Sequence, residues 1–288
     1  MPGKAYALAL SAVLVWSSLA FLGLRLAHTP PFLLVGMALV IGSGCSLHRI
    51  SQWRVPLRVM ALGIYGLFGY HLCLFLALRL APPVEANLMN YLWPLFIVVF
   101  SPLILPGYSL RAHHLLAALL GMGGAALIVT GGSLVSFQST YLPGYLLGGT
   151  AAFLWATYSL LTKRVGGFPN AAIGGFCFVS GMLSLLVHVF LEEPYALTLG
   201  DVPFLLALGV GPMGGAFFLW DGALRLGDPR IIGALAYLTP LLSTLLLILS
   251  GRGTFTLVSG GAMVCILGGA FLGTWGSRKG EKSPAGES

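Results

Sequence analysis

Apolar runs of about 20 residues recur from one end of this chain to the other, and that pattern limits its possible folds more than any other. A helix of about 20 residues crosses the ~30 Å of hydrocarbon in a bilayer. No water is available there to satisfy backbone N–H and C=O groups, so only helices or a closed barrel can span it. Ten such runs are read, at 5–24, 30–48, 57–79, 83–105, 112–131, 142–163, 170–191, 202–224, 230–250 and 254–275. Composition agrees: 57% of residues are hydrophobic and 8% charged, with mean hydropathy +0.93, against roughly 25% charged in a soluble domain. The expected fold is an all-α integral membrane protein of ten transmembrane helices, with no residues left for a soluble domain.

The chain also repeats itself. Tyr91-Leu92-Trp93-Pro94-Leu95 returns as Tyr237-Leu238-Thr239-Pro240-Leu241, and Ala77-Leu78-Arg79-Leu80 returns as Ala223-Leu224-Arg225-Leu226. Both pairs are 146 residues apart (91 to 237, 77 to 223). A period near half the length means two copies of one unit, and in a membrane chain this marks transporters built from structural repeats. The expected halves are 1–136 and 137–288, joined by the charge-free stretch from Gly131 to Tyr141. Each half holds five segments. Five is odd, so the second copy is inverted, related to the first by a pseudo-two-fold axis in the membrane plane.

Charge supports that topology. One side of the membrane gathers Lys4, Arg49, Arg54, Arg58, Arg111, Lys163, Arg164, Arg225, Arg230, Arg278, Lys279 and Lys282; the other has Arg25, Arg79 and Arg252. By the positive-inside rule both termini are cytoplasmic. The net charge of +7 is spread over short loops with no basic run, so no nucleic-acid partner is expected. Residues 1–24 read as a retained helix and not a cleaved leader. They lack an Ala-x-Ala site, and Leu14-Val15-Trp16-Ser17-Ser18 has an internal counterpart in Phe153-Leu154-Trp155-Ala156-Thr157. Cys45, Cys73, Cys177 and Cys265 lie in apolar segments without Cys-x-x-Cys spacing and read as packing residues. No Walker, zinc-protease or nucleophile-elbow motif occurs. Neither a cofactor, a metal nor catalysis is expected.

Polar groups inside such segments are costly in lipid and mark sites. His71 lies beside Tyr70 in the third segment, and Asn87 and Asn90 precede Tyr91, Trp93 and Pro94 in the fourth. At 100° per residue from Asn90, Trp93 falls at about −60°, Pro94 at +40°, Asn87 at +60° and Tyr91 at +100°. One face therefore mixes amides, a phenol and an indole, which suits a cavity for a small amphipathic solute; interhelical hydrogen bonding is the alternative. Trp155 and Tyr158 share a stripe of the sixth segment, and Trp16 occupies the matching place in the first. Nine residues are thus substrate-site candidates: Tyr70, His71, Asn87, Asn90, Tyr91, Trp93, Trp155, Tyr158 and Trp16. His71 has three open roles, as a core hydrogen-bonding group, a proton carrier or a substrate contact. Pro94 and Pro240 interrupt their helices at matched positions, as symmetric hinges or as packing kinks. Asp221 pairs with Arg225 one turn on. Trp275, Tyr108, Tyr141 and Tyr195 lie at segment ends and read as interfacial anchors.

With these residues in view the chain resembles the drug/metabolite transporter superfamily: two five-helix EamA-type repeats, short loops, both ends cytoplasmic. Within it the chain is most similar to the YddG-type bacterial exporters of aromatic and other amino acids. The stretches carrying this are Gly69-Tyr70-His71, Glu85-Ala86-Asn87-Leu88-Met89-Asn90-Tyr91-Leu92-Trp93-Pro94 and Trp155-Ala156-Thr157-Tyr158. The resemblance implies a basket of helices 1, 3, 4, 6, 8 and 9 around a central cavity. Helices 2 and 7 would move, and helices 5 and 10 would form the back, a dimer surface in relatives. It implies alternating access and export of amino acids from the cytoplasm through a bacterial inner membrane, with the lipid bilayer and a homodimer as further partners. The substrate's side chain would lie on Trp93, Trp155 and Tyr70. Its ammonium would meet aromatic faces or the Asn87 and Asn90 oxygens, and His71 or an Asn amide would donate to its carboxylate. Other small metabolites or drugs remain the alternative cargo. A nucleotide-sugar type carrier is a weaker one, since no Lys or Arg lies at mid-depth to match a phosphate.

Overall fold

The computed structural model describes residues 2–251 and 254–280. Arg252 and Lys282, and the side chains of Trp275, Arg278 and Lys279, lie outside the described residues. All regular structure among the described residues is helical. The long helices are α1 (Gly3–Arg25), α2 (Pro31–Trp53), α3 (Leu57–Leu80), α4 (Pro83–Ile104), α5 (Ala112–Thr130), α6 (Leu142–Val165), α7 (Ala172–Leu191), α8 (Val202–Leu226), α9 (Pro229–Leu249) and α10 (Leu257–Thr274). Nine of them, all but α6, are long and apolar enough to cross a membrane. At 24 residues α6 is long enough for the same depth, but it carries Thr157, Tyr158, Ser159, Thr162 and the Lys163-Arg164 pair.

The 146-residue period of the sequence is also a period of the backbone. A π-helical turn at Tyr65–Gly69 interrupts α3, and another at Gly211–Gly215 interrupts α8. Pro212, lacking an N–H, sits inside the second. The fourth and ninth helices break in the same way. α4 divides into Pro83–Asn90 and Trp93–Ile104, and α9 into Pro229–Ala236 and Leu238–Leu249. Each break lies just ahead of a proline. Pro94 cannot donate to the Asn90 carbonyl four residues back, and its ring crowds that carbonyl, so the chain opens at Tyr91–Leu92.

The repeats also differ. α1 divides at Ser18, where the Ser17 and Ser18 hydroxyls donate to the Leu14 and Val15 carbonyls at 2.6 and 2.7 Å. Its counterpart α6 runs unbroken.

Helices pack in symmetric pairs, α2 against α7 and α5 against α10. Small residues bring the backbones together. A Cβ on Gly181 of α7 would lie 2.8 Å from the Gly36 carbonyl oxygen of α2, and one on Gly269 of α10 would lie 2.6 Å from the Ala117 carbonyl of α5. α1 packs on α8 and α3 on α6, so the four enclose the molecular centre from two sides.

Candidate functional site

Four indoles meet at that centre. Trp16, Trp93 and Trp155 make edge contacts with ring centroids 5.9–6.4 Å apart. Trp220 packs beneath, 5.2 Å from Trp16 and 5.5 Å from Trp93. Edge-on packing directs the positive rim of one ring at the negative face of the next, which fixes their orientation. Two of the indoles are also bonded. Trp16 donates to the Pro212 carbonyl at 3.1 Å, within the π turn of α8, and Trp220 donates to Ser159 Oγ at 3.1 Å.

Above this floor lies a cavity of about 450 Å³. Trp16, Tyr70, His71, Asn87, Asn90, Tyr91, Trp93 and Trp155 all line it. Eight of the nine candidate residues, drawn from four helices, therefore share one space. Tyr158 is the exception. It is buried behind Trp155, and its ring fills the gap left by Gly66, where a Cβ would lie 2.1 Å from the Tyr158 Cγ. α2 contributes Pro31, Leu34 and Val35 to the wall, so the lining is wider than the expected six-helix basket.

The cavity presents both acceptors and donors. His71 Nδ1 lies 2.6 Å from the Leu67 carbonyl. A carbonyl only accepts, so Nδ1 carries the hydrogen and Nε2 presents a lone pair. In the neutral ring the free nitrogen therefore accepts, whereas donation from His71 to a carboxylate requires a ring protonated on both nitrogens. The Asn90 amide nitrogen is 3.4 Å from the Tyr70 hydroxyl, while its Oδ1, though buried, has no partner among the described residues. Thr29 Oγ1 and Thr239 Oγ1 are likewise buried and unpaired, and both residues line the same cavity. Neither threonine was a sequence candidate. Thr239 had a signal, being the one mismatch in the repeated pentapeptide; Thr29, in a loop, had none.

The break in α4 beside Asn90 is held open by a tyrosine of the other repeat. The fully buried Tyr237 hydroxyl accepts from the Leu95 N–H at 3.2 Å and donates to the Tyr91 carbonyl at 3.2 Å. Leu95 and Tyr91 are four residues apart, so the hydroxyl sits inside what would be a helical hydrogen bond. Tyr91, the repeat equivalent of Tyr237, faces the cavity, and its hydroxyl has no hydrogen bond among the described residues.

The cavity is closed at one end of the bundle. Its lining runs from the indoles toward Ala27, Thr29 and Pro31, at the turn between α1 and α2. At the opposite end, Lys163 of α6 donates to the Leu224 carbonyl at 2.5 Å and the Gly227 carbonyl at 2.9 Å, both at the end of α8. Arg225 joins Asp221 at 2.5 Å and the Phe168 carbonyl at 2.7 Å, and Asn170 donates to Asp221 at 2.8 Å. Arg230 joins Asp228 and the Ser109 carbonyl. Lys163 and Arg230 both lie over the Tyr108 ring, at 6.0 and 5.1 Å. Lys163 saturates the terminal carbonyls of α8 as a helix cap does, and with Arg225 and Asn170 it binds α8 to α6 and to the α6–α7 loop.

Comparison with known proteins agrees with this geometry. The EamA-like transporter family matches residues 3–130 and 142–275. The aromatic amino acid exporter YddG of Ancylobacter novellus is 39% identical over 282 residues, covering 93% of this chain and 96% of the relative. That of Escherichia coli is 27% identical over 299 residues, covering 96% and 99%. A solved crystal structure at 37% identity superposes with a TM-score of 0.92, over 97% of this chain and 100% of the other. An all-helical chain whose halves each match one family unit, with a cavity where the two units meet, belongs to the EamA-like transporter family.

Proposed function

We propose that the protein exports amino acids, aromatic ones among a broader set, from the cytoplasm across a bacterial inner membrane. The observation that carries this reading is the cavity itself. At about 450 Å³ it has the size of a small-molecule site, walled by indole, phenol and phenyl faces with a few unpaired polar atoms among them. Relatives named as aromatic amino acid exporters align along nearly the whole chain, which supports the same cargo. No Lys or Arg among the described residues lines the cavity, and this disfavours phosphate-bearing cargo such as nucleotide sugars. Drugs and other apolar metabolites fit the walls but leave the unpaired oxygens unmatched.

In this reading all ten helices cross the membrane, the halves 1–136 and 137–288 are inverted copies, and both termini are cytoplasmic. The cavity then faces outward and the Lys163–Arg225–Arg230 network seals the cytoplasmic end. Transport proceeds by alternating access, with Pro94 and Pro240 as matched hinges. The unequal use of Tyr91 and Tyr237 supports this. If the repeats exchange conformations, Tyr91 enters the α9 break between the Leu241 N–H and the Tyr237 carbonyl, while Tyr237 leaves α4. A second copy packing on the exposed face of α5 and α10 belongs to the same proposal, and the mass of the solubilised protein tests it.

The main test is uptake into proteoliposomes from a panel of labelled amino acids, with and without a proton gradient. Saturable transport of phenylalanine and other apolar amino acids is expected. Failure to move any amino acid ends the proposal, and a rate indifferent to the gradient removes His71 as a proton carrier.

A further inference from the structure

Two side-chain atoms of the cavity are left as acceptors. His71 Nε2 presents a lone pair because Nδ1 is committed to the Leu67 carbonyl. Asn90 Oδ1 is buried without a partner, while the unpaired Thr29 and Thr239 hydroxyls can accept or donate and favour neither charge. The α4 break beside them offers an anion fewer N–H groups than a regular helix start. Exposed N–H groups at a helix start are anion sites, but Pro94 has none and the Leu95 N–H is taken by Tyr237. Pro94 also cannot donate to the Asn90 carbonyl, so the end of the Pro83–Asn90 segment keeps an electron-rich backbone oxygen. Aromatic faces around the space attract a cation further. Against this, no Lys or Arg among the described residues lines the cavity, and a carboxylate there finds only neutral donors such as the Thr hydroxyls or the Trp93 and Trp155 indoles.

We propose that the cavity recognises its cargo by the ammonium and aromatic ring, with the carboxylate left toward the mouth, and that the protein therefore also carries primary aromatic amines. This rests on the reading of the cavity as the transport site. An arylethylamine keeps the ring and the ammonium at the spacing found in an aromatic amino acid and lacks only the carboxylate. An arylpropionate keeps the ring and the carboxylate and lacks the ammonium. The site as built accepts the first and refuses the second.

The experiment uses the full chain and three probes: phenylalanine, 2-phenylethylamine and 3-phenylpropionate. Binding is read from quenching of tryptophan fluorescence and the thermal shift of the solubilised protein. Transport is read as competition with labelled phenylalanine in proteoliposomes. The amine is expected to bind and compete within about threefold of phenylalanine. Loss of charge-assisted hydrogen bonds is expected to leave the acid weaker by roughly 10- to 100-fold. Asn90→Leu is expected to weaken phenylalanine and the amine together, and the acid little. An acid that binds as well as phenylalanine, or an amine that does not bind, overturns the proposal even if phenylalanine is transported. If the amine binds while no amino acid is moved, the amino acid export reading falls and the ammonium site stands.

Discussion

At the scale of single residues, the site was readable wherever a polar or aromatic group interrupted an apolar helix. Trp93, Asn90 and His71 stand out from the sequence because each is costly in lipid unless something uses it. Removing one cavity face by Trp93→Ala is expected to raise the KM for phenylalanine roughly 3- to 30-fold, from loss of ring stacking and cation–π attraction. Expression and melting temperature should change little, since Trp16 and Trp155 still brace each other; an unchanged KM would remove Trp93 from the site. The threonines were not readable in this way. A helical hydroxyl ordinarily bonds its own backbone, as Thr244 and Thr157 do here, so only coordinates reveal that Thr239 and Thr29 lack partners. Asp201 illustrates the same limit at the far end of the cavity. It accepts from the Thr198 N–H at 2.9 Å and hydroxyl at 2.8 Å, and contacts His28 Nε2 at 2.9 Å, tying the start of α8 to the turn after α1. These bonds, those of Thr198 first, hold its carboxyl below the ordinary value of 3.8. A lowered carboxyl pKa gives stability that is present above the unfolded value and lost as pH falls through the folded one. Asp201→Asn is therefore expected to lower the melting temperature at pH 7, with the difference from the parent shrinking only below pH 3.8. A difference that vanishes already between pH 7 and 5 would contradict the assignment.

At the scale of elements, helix breaks are where sequence and backbone correspond best, and proline is the reason. Pro94 and Pro240 each remove a donor, so the openings at 91 and 237 follow from chemistry legible in one dimension. The π turn at Gly211–Gly215 contains Pro212 and is legible on the same ground. Its partner at Tyr65–Gly69 contains no proline, and nothing local announces it; only the 146-residue offset locates it. What fills a break is less legible still, because the Tyr237 hydroxyl reaches α4 from a helix of the other repeat. Its two bonds stabilise the present arrangement by about 1–3 kcal/mol, the usual penalty for leaving a buried pair unmade. Tyr237→Phe should thus move the protein toward the opposite arrangement, and Tyr91→Phe should move it further into this one. A cysteine replacing Ala27 at the cavity mouth, in a background without the four native cysteines, reports the difference. Its reaction with an impermeant maleimide is expected to slow in Tyr237→Phe and to hold or quicken in Tyr91→Phe. Equal slowing in both variants would mean that the tyrosines merely pack, and the exchange would be abandoned.

At the scale of the whole molecule, the two ends of the cavity are unlike in chemistry, and this difference gives the bundle a direction. The end near Thr29 is joined by the His28–Asp201 contact and by Glu192, whose carboxylate caps the Phe32 and Leu33 N–H groups at 3.0 and 3.2 Å. Those N–H groups begin α2 and Glu192 follows α7, so that bond holds one packed pair together, while Arg79 of α3 donates to the Leu191 carbonyl of α7 at 3.4 Å. The opposite end is bound across pairs: Lys163 links α6 to α8, Arg225 and Asn170 link α8 to the α6–α7 loop, and Arg230 links α9 to the α4–α5 loop. Opening that end requires all of these contacts to part. Because most of the acceptors are backbone carbonyls, the seal is largely invisible in the sequence, where Lys163 and Arg230 register only as topology charges and Arg225 as the partner of Asp221. Lys163→Met keeps the apolar stem and removes the donor. A partly exposed cation of this kind contributes about 1–2 kcal/mol through its carbonyl bonds, enough to shift a two-state equilibrium roughly 5- to 30-fold toward the opened end. Spin labels at positions 166 and 226 should then report a longer, broader distance distribution than in the parent, and saturating phenylalanine should lengthen the parent's distribution in the same sense. A distribution unchanged by Lys163→Met, in a protein that still transports, would show that the network is a static cap and that the direction of transport is set elsewhere in the bundle.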